Sequence, residues 1–557
     1  MTNREVAHTL ERIADILQIK DENPFKIRAY RRAADAIYHL NEDVKVLHQT
    51  GRLGEIPGVG KSVQSGITEM LEKGSLEYYE RLLEEVPSGV LDMLALPGIG
   101  YKTIKTIYEG LGIDNLNDLG QAAREGKIRV LPGLGAKTEY NIIKGMELLK
   151  KGSKRATLGL ALPVGEDFLN YLRHSGVVQE AELVGSIRRG QALVGDIDVL
   201  VSTRDVGALL EKVRGYPGLK QIEANTEENI KGRLRWDLPF ELIMVAEQAF
   251  AAALVWTTGS KSFREILFPE GRRQEYLGLK SETQVFEKLG LPFIPPELRE
   301  NRGELEAARC GQLPQLIQEG DIQGDLHVHT RWSDGAVDLP GMAEAARNLG
   351  YSYLAITDHS QSLAISGGLS PERLHAQGQV IDALNARQPD FHILKGVEAD
   401  VLKDGRLDYD AEVLKGMDMV IASLHSHFKL DREAQTERIL TAIKTPGVNI
   451  IGHLTGRLLN RRPAYELDLE RVLDAAAKHQ MVLEINSHPD RLDVDAEIAR
   501  QAKERGIKMA VNSDAHDQQE LKLLRYGVIN ARRGWLEKKD VINCGNLDEM
   551  QAWLKKK

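Results

Sequence analysis

Cysteine is scarce in this chain: Cys310 and Cys544 are the only two among 557 residues, and neither has a CxxC partner. That excludes a disulfide framework and a cysteine zinc site, and it suits a reducing, cytoplasmic compartment. Long apolar runs are missing as well. The stretch from Ala249 to Trp256 falls far short of the roughly 20 residues a membrane helix requires, so no membrane partner is expected. The first residues, MTNREVAHTLERIADIL, are charged and lack the apolar core of a signal peptide. Nor is there an excess of positive charge: 73 Lys and Arg against 82 Asp and Glu give a formal charge of −9. A surface coated in basic residues is excluded, and any nucleic acid must be held by local amides and patches. What is present is ordinary: 42% hydrophobic and 28% charged residues exclude wholesale disorder or a collagen-like chain. At about 150 residues per domain the length predicts three to four domains.

A pattern repeats three times near the start, as Ile56-Pro-Gly-Val-Gly60-Lys61, Leu96-Pro-Gly-Ile-Gly100-Tyr and Leu131-Pro-Gly-Leu-Gly135-Ala. Each copy lies between stretches of helical periodicity. An apolar residue, Pro and Gly-x-Gly between two helices make a tight hairpin. The glycines, Gly58 and Gly60, Gly98 and Gly100, Gly133 and Gly135, permit unusual backbone angles and expose amides at the second helix's N-terminus, where a phosphate binds well. Three copies predict helix-hairpin-helix binding of a nucleic-acid backbone without base readout. The same stretch is no P-loop, because the required first glycine would fall at Glu55.

From about residue 180 the texture becomes mixed α/β. In Gly195-Asp196-Ile-Asp198-Val-Leu200 two carboxylates stand two apart, so on a strand they share a face and can share divalent cations. Ten residues earlier, Gly185-Ser186-Ile-Arg188-Arg189-Gly190 offers a hydroxyl, amides and guanidinium donors suited to a triphosphate. Together they form a nucleotidyltransferase layout.

Between residues 324 and 517 seven apolar strand candidates alternate with helical stretches, and nearly all end in a polar cluster. That pattern predicts a parallel (β/α)7 barrel with a functional C-terminal rim. His327 and His329 share one strand face, and Asp334, His359, Glu398, His425, His453, Asp514 and His516 recur at the other strand ends. Six histidines and three carboxylates on one rim suit Zn2+ or Mn2+. Glu484 and Ser487 also close a strand, without an assigned role, and His488 stays open.

These motifs resemble those of bacterial family X DNA polymerases carrying a C-terminal PHP (polymerase and histidinol phosphatase) domain, and the resemblance covers nearly the whole chain. GSIRRGQALVGDIDVL is similar to the family's palm signature, and Asn23-Pro-Phe-Lys26-Ile-Arg-Ala-Tyr30-Arg31 to its lyase-like region. The resemblance implies two Mg2+ or Mn2+ ions on Asp196 and Asp198, with Ser186, Arg189, Gly185 and Gly259 around the incoming deoxynucleoside triphosphate. Matching back from Thr258-Gly259-Ser260 puts Glu241 at the third catalytic carboxylate, where the family has Asp, and Asp237 is a weaker candidate on the same face. Lys26, Arg31 and Lys61 are implied contacts for a 5′-phosphate in gapped or nicked DNA. Gly66 occupies the place of the lyase lysine, so no Schiff base and no lyase activity are expected. Trp256-Thr257 replaces an aromatic pair, and Leu454 replaces a proline beside His453. In the barrel the resemblance implies three ions on all nine residues, acting on 3′-terminal nucleotides and on abasic sites.

The expected organisation is multidomain α + α/β. A helical lyase-like domain spans 1–85 and a fingers-like domain with two hairpins spans 86–155. A nucleotidyltransferase palm (156–255), a reduced thumb (256–305), a packed linker (306–323) and the PHP barrel (324–557) complete the chain, read as a monomer. Two rivals remain at this point: a PHP nuclease or phosphatase whose palm has become a DNA-holding scaffold, and a non-catalytic binder of DNA gaps.

Overall fold

The computed structural model describes residues 3–38, 40, 43–56, 58–96, 99–136, 138–140, 142–143, 146, 155–268, 273–388 and 390–555. The chain divides into two compact units, residues 1–154 with 460–462, and residues 155–459 with 463–557.

The first unit is helical. Amphipathic helices Asn3–Ile19 and Pro24–Tyr38 pair closely and bury Leu10, Ile13, Leu17, Ala33 and Ile37 in one core with Ile67, Met70, Ile104 and Ile107. Gly60 and Gly100 each cap a helix, Lys61–Lys73 and Tyr101–Leu111, in extended conformation with no side chain on the first-turn amides. Those amides therefore keep their donors for an outside acceptor. Gly58 has φ +83°, and a Cβ there would stand 2.8 Å from the Ala33 amide nitrogen. Glycine is thus required both for the turn and for its approach to the second helix. Gly133 also has positive φ, +75°, whereas Gly98 lies outside the described residues.

The second unit begins with a two-stranded ribbon, β1 (Ala156–Thr157) and β3 (Leu193–Val194). A five-stranded sheet follows, in the order β2 (Val178–Leu183), β4 (Ile197–Thr203), β7 (Pro239–Val245), β6 (Asn229–Leu234) and β5 (Leu219–Asn225). Alternation along β4 sends Ile197, Val199 and Val201 toward helices Leu158–Arg173 and Val206–Arg214. Leu200 packs on the opposite face with Val184 and Phe250. Asp198 shares the parity of Leu200, so its carboxylate emerges on that second face. Beyond helix Phe250–Thr258, the helices Lys261–Leu267 and Glu282–Lys288 close a small core around Phe263, Phe286 and Ile294. Helix Glu304–Arg309 crosses the expected thumb–linker boundary, because Leu305 and Ala308 belong to that same core. Two backbone bonds tie residues 306–323 to the chain's last segment: Ile317 N donates to Leu536 O at 3.0 Å, and Gln323 N to Asn543 O at 2.8 Å.

The barrel strands are β8 (Gly324–Val328), β9 (Tyr353–Ile356), β10 (His392–Asp400), β11 (Met419–Ser423), β12 (Ile450–Ile451), β13 (Val482–Asn486) and β14 (Met509–Asn512), adjacent in sequence order and parallel throughout. A parallel bridge between Val328 and Ala515 brings the two edges together. Nearly every strand residue is buried, which is why these strands read as continuous apolar runs. Helix Leu524–Arg533 then joins barrel to palm. Tyr526 is part of the palm core, Ile529 packs beside it, Arg525 donates to Glu166 at 2.6 Å, and Arg533 donates to Arg189 O at 2.8 Å.

Candidate functional site

The barrel rim gathers all nine expected residues. Glu398, fully buried at the end of β10, is its hub. His359 Nδ1 stands 2.8 Å from one carboxylate oxygen and His329 Nε2 3.7 Å; His453 Nε2 (3.0 Å), His425 Nε2 (3.3 Å) and His327 Nε2 (3.4 Å) face the other. Asp514 Oδ1 lies 3.1 Å from His329 Nε2 and 3.6 Å from His327 Nε2. Asp334 stands 3.4 Å from both His359 and His516. Three groups bring their donor atoms within 4.8 Å of one another: His329, Asp334, His359 and His516; His327, His329 and Asp514; and His359, Glu398 and His425. His453 falls outside these groups and joins through Glu398.

Burial opposes charge on His359 and His425, but the Glu398 carboxylate outweighs it, and both are held up at about 9. His516 reaches about 9 against the same burial through Asp334 and Asp514. His329 goes the other way, to about 3, through burial and then the charge of His516 and His359. His327 Nε2, both ring nitrogens of His329 and His425 Nδ1 are buried with no well-formed hydrogen bond. Unsatisfied buried nitrogens facing carboxylates form a nitrogen and oxygen donor set that fits divalent cations. The supporting contacts fit too: Glu484 Oε1 accepts from His327 Nδ1 at 2.6 Å, which turns Nε2 toward Glu398 and Asp514. Asp358, which sits beside His359 in sequence, is instead enclosed by Thr330, Ser333 and Gln377. Sequence reasoning passed over Glu484, although its place at the end of β13 was a signal.

The palm presents a second acidic site. Asp196 precedes β4, Asp198 lies within it, and Glu241 on β7 is in parallel register with Asp198. Gly185, with φ +64°, opens a short helical turn, and a Cβ at that position would overlap the Asp198 carboxylate. The glycine of the Gly-Ser pair therefore admits the acid itself. Asp198 is pushed up to about 7, first by burial, then by the charges of Asp196 and Glu241. Burial and then Glu241 raise Asp196 as well. Lys231, opposite Glu241 on β6, reaches it at 3.0 Å. Three clustered carboxylates with one lysine at their edge are a donor set for divalent cations, although the closely converging groups among the described residues are all in the barrel. Asp237 does not share Glu241's strand: it ends a turn, with φ +62°, and pairs with Lys220 and Arg233.

Around this site Arg189 donates to Glu300 at 2.9 Å and to Thr258 O at 2.9 Å. Its neighbour Arg188 pairs with the buried Glu282, which also receives Arg299. Ser186 lies in the same turn, half-buried, and Gly259 ends helix Phe250–Thr258, with no room for a Cβ beside Phe263. The Trp256 ring packs edge-on against Phe268 with Arg264 over its face. In the helical unit Lys26 donates to Tyr78 Oη at 2.8 Å, Arg31 is tied to Gln18 and Tyr101, and Lys61 is exposed on the first turn behind Gly60. No helix among the described residues is long and apolar enough to cross a membrane.

A nucleotidyltransferase-type palm and a parallel barrel whose rim gathers histidines and carboxylates, in a chain with helix-hairpin-helix repeats, define a class of nucleic-acid enzyme. Family models agree with each part they cover. Residues 1–76 match a helix-hairpin-helix domain, residues 90–147 a SAM-like helix-hairpin-helix tandem and residues 325–488 a PHP domain. The DNA polymerase/3'-5' exonuclease PolX of Bacillus subtilis (strain 168) is 37% identical over 573 residues, covering 100% of both chains. Relatives that match part of the chain include the probable phosphatase TTE1963 of Caldanaerobacter subterraneus subsp. tengcongensis, 36% identical over 34% of this chain and 75% of its own length. The probable phosphatase YcdX of Escherichia coli (strain K12) is 30% identical over 34% of this chain and 78% of its own. The chain belongs to the bacterial family X DNA polymerases that carry a C-terminal PHP domain.

Proposed function

We propose that this protein is a DNA-repair polymerase that fills short gaps and trims 3′ ends, with synthesis in the palm and 3′–5′ exonuclease action in the barrel. The observation that carries the reading is the pairing of two acidic centres in one chain: Glu241 in register with Asp198, and eight further ligand-type residues around Glu398. Asp196, Asp198 and Glu241 hold Mg2+ or Mn2+, and the barrel holds three ions, Zn2+ or Mn2+ or both. Such cations supply an acidified hydroxyl or water and charge neutralisation at phosphate oxygens. The chain's own groups do the rest. Asp198, whose carboxyl burial pushes up to about 7, would help to hold such a cation in its ionised form. Ser186 and the amides after Gly185 hold the triphosphate, and Arg189 joins them when it leaves Glu300. Glu484 keeps His327 in one tautomer. Capping amides at Gly60, Gly100 and Gly135 hold the DNA backbone, with Lys26, Arg31 and Lys61 near a 5′-phosphate. Cleavage at abasic sites, a cytoplasmic location and a monomeric state complete the proposal.

The Glu300 grip on Arg189 favours one rival, a scaffold palm beside an active nuclease. Two variants decide between them. Asp198→Ala is expected to abolish primer extension and keep trimming, and His329→Ala the reverse. Extension by purified Asp198→Ala protein would overturn the palm assignment.

A further inference from the structure

Beside the barrel rim stands a cationic side chain, that of Arg491, outside the nine ligand-type residues. Arg491 follows β13 on the loop 488–495, and its Nε lies 4.0 Å from Asp514 Oδ2, too long for a hydrogen bond. The two oxygens of Asp514 face different ways. Oδ1 is turned to His327 and His329, whereas Oδ2 accepts from Asn486 at 2.9 Å on the side of Arg491. The guanidinium thus stands at the edge of the donor set rather than within it.

The backbone beneath it is fixed from several directions. Arg491 N donates to His488 O at 2.8 Å, Arg457 Nε donates to Arg491 O at 2.8 Å, and a second Arg457 nitrogen reaches Leu492 O. Leu459 N donates to Asp490 O, and Asn486 N to Asp493 O, both at 2.6 Å. Leu492 is buried in the palm core, and Pro489 abuts Gly159 so closely that a Cβ there would overlap it. A rigid loop carrying an arginine whose facing carboxylate, that of Asp514, stands 4.0 Å away is poor as structural bracing. It is well made for an anion, because a guanidinium keeps its charge and its forked donors match phosphate oxygens.

We propose that Arg491 is a phosphate-binding residue of the barrel site, contacting a phosphate oxygen of the DNA strand whose 3′ end is trimmed and of the released nucleoside monophosphate. This rests on the barrel reading above and adds to it a substrate contact that does not run through the cations. Because palm residues pack against the same loop, the palm helps to set the position of that contact.

The test compares full-length wild type, Arg491→Met and Arg491→Lys. Cation content after loading with Mn2+ is measured by mass spectrometry, affinity for thymidine 5′-monophosphate by calorimetry, and 3′ trimming on a labelled primer. Expected for Arg491→Met are unchanged cation content, nucleotide affinity weaker by about 10-fold or more, and a matching rise in KM for trimming, with partial recovery in Arg491→Lys. Equal nucleotide affinity in wild type and Arg491→Met would overturn the proposal, as would a loss of cations matching the loss of trimming, which would make Arg491 a mere counterion of Asp514. Failure of the wild type itself to trim would instead overturn the barrel reading.

Discussion

Replacing Asp198 by Asn should stabilise the protein while ending synthesis. Burial, with Asp196 and Glu241 adding their charges, moves the folded Asp198 from 3.8 to about 7. At about 1.4 kcal/mol per pH unit, the folded state pays about 4 kcal/mol for an ionised Asp198, and solvent access reduces the observable gain to about 2–4 kcal/mol. The sign follows from proton counting. Between about pH 4 and pH 7 the unfolded chain has released a proton that the folded chain keeps, so wild-type stability falls as pH rises through that window. Asp198→Asn lacks the slope, so its advantage grows from nothing near pH 4 to a plateau above pH 7. The assay is guanidinium unfolding of both full-length proteins in a chelator, at several pH values, followed by tryptophan fluorescence. Added Mn2+ should then stabilise the wild type more than the variant, since binding to the folded state alone is stabilising. Equal stability at alkaline pH, or an advantage that shrinks as pH rises, would refute the reasoning.

Three further outcomes follow from particular contacts. Glu484→Gln weakens the 2.6 Å contact to His327 and should lower cation affinity in the barrel by about 10- to 100-fold, read by competition with a metal chelator, with primer extension intact. Glu282→Gln leaves Arg299, fully buried, without its carboxylate, and should cost about 3–5 kcal/mol, measured by denaturant unfolding. Gly58→Ala places a Cβ against the Ala33 amide at φ +83° and should weaken binding of gapped DNA, measured by fluorescence anisotropy, without changing trimming of a single-stranded substrate.

Much of this was legible in the sequence because short periodicities carry it. The two-residue spacing of Asp196 and Asp198 predicts a shared strand face; β4 begins at Ile197, so it holds Asp198 while Asp196 leads into it. Strands buried on both faces announce a parallel barrel, and their polar ends announce its rim. The glycine repeats are legible because only glycine meets the turn at Gly58. Contacts between distant elements are not encoded by spacing. Nothing local shows that Glu398 touches five histidines, or that Glu300, 111 residues from Arg189, holds its guanidinium. Asp237 fits strand parity on paper, but the turn through Trp236 and Asp237, both with positive φ, takes it off the strand. Glu484 reads as an ordinary buried acid until His327 is beside it.

The central claim is that one chain both extends and shortens a primer from two acidic centres. The most direct measurement uses a 5′-labelled primer bordering a short gap with a 5′-phosphate, in Mn2+ or Mg2+, with and without deoxynucleoside triphosphates. Extension with nucleotides and shortening without them are expected. Shortening alone, unchanged by nucleotides, would contradict the account and leave the palm as a scaffold for a PHP nuclease.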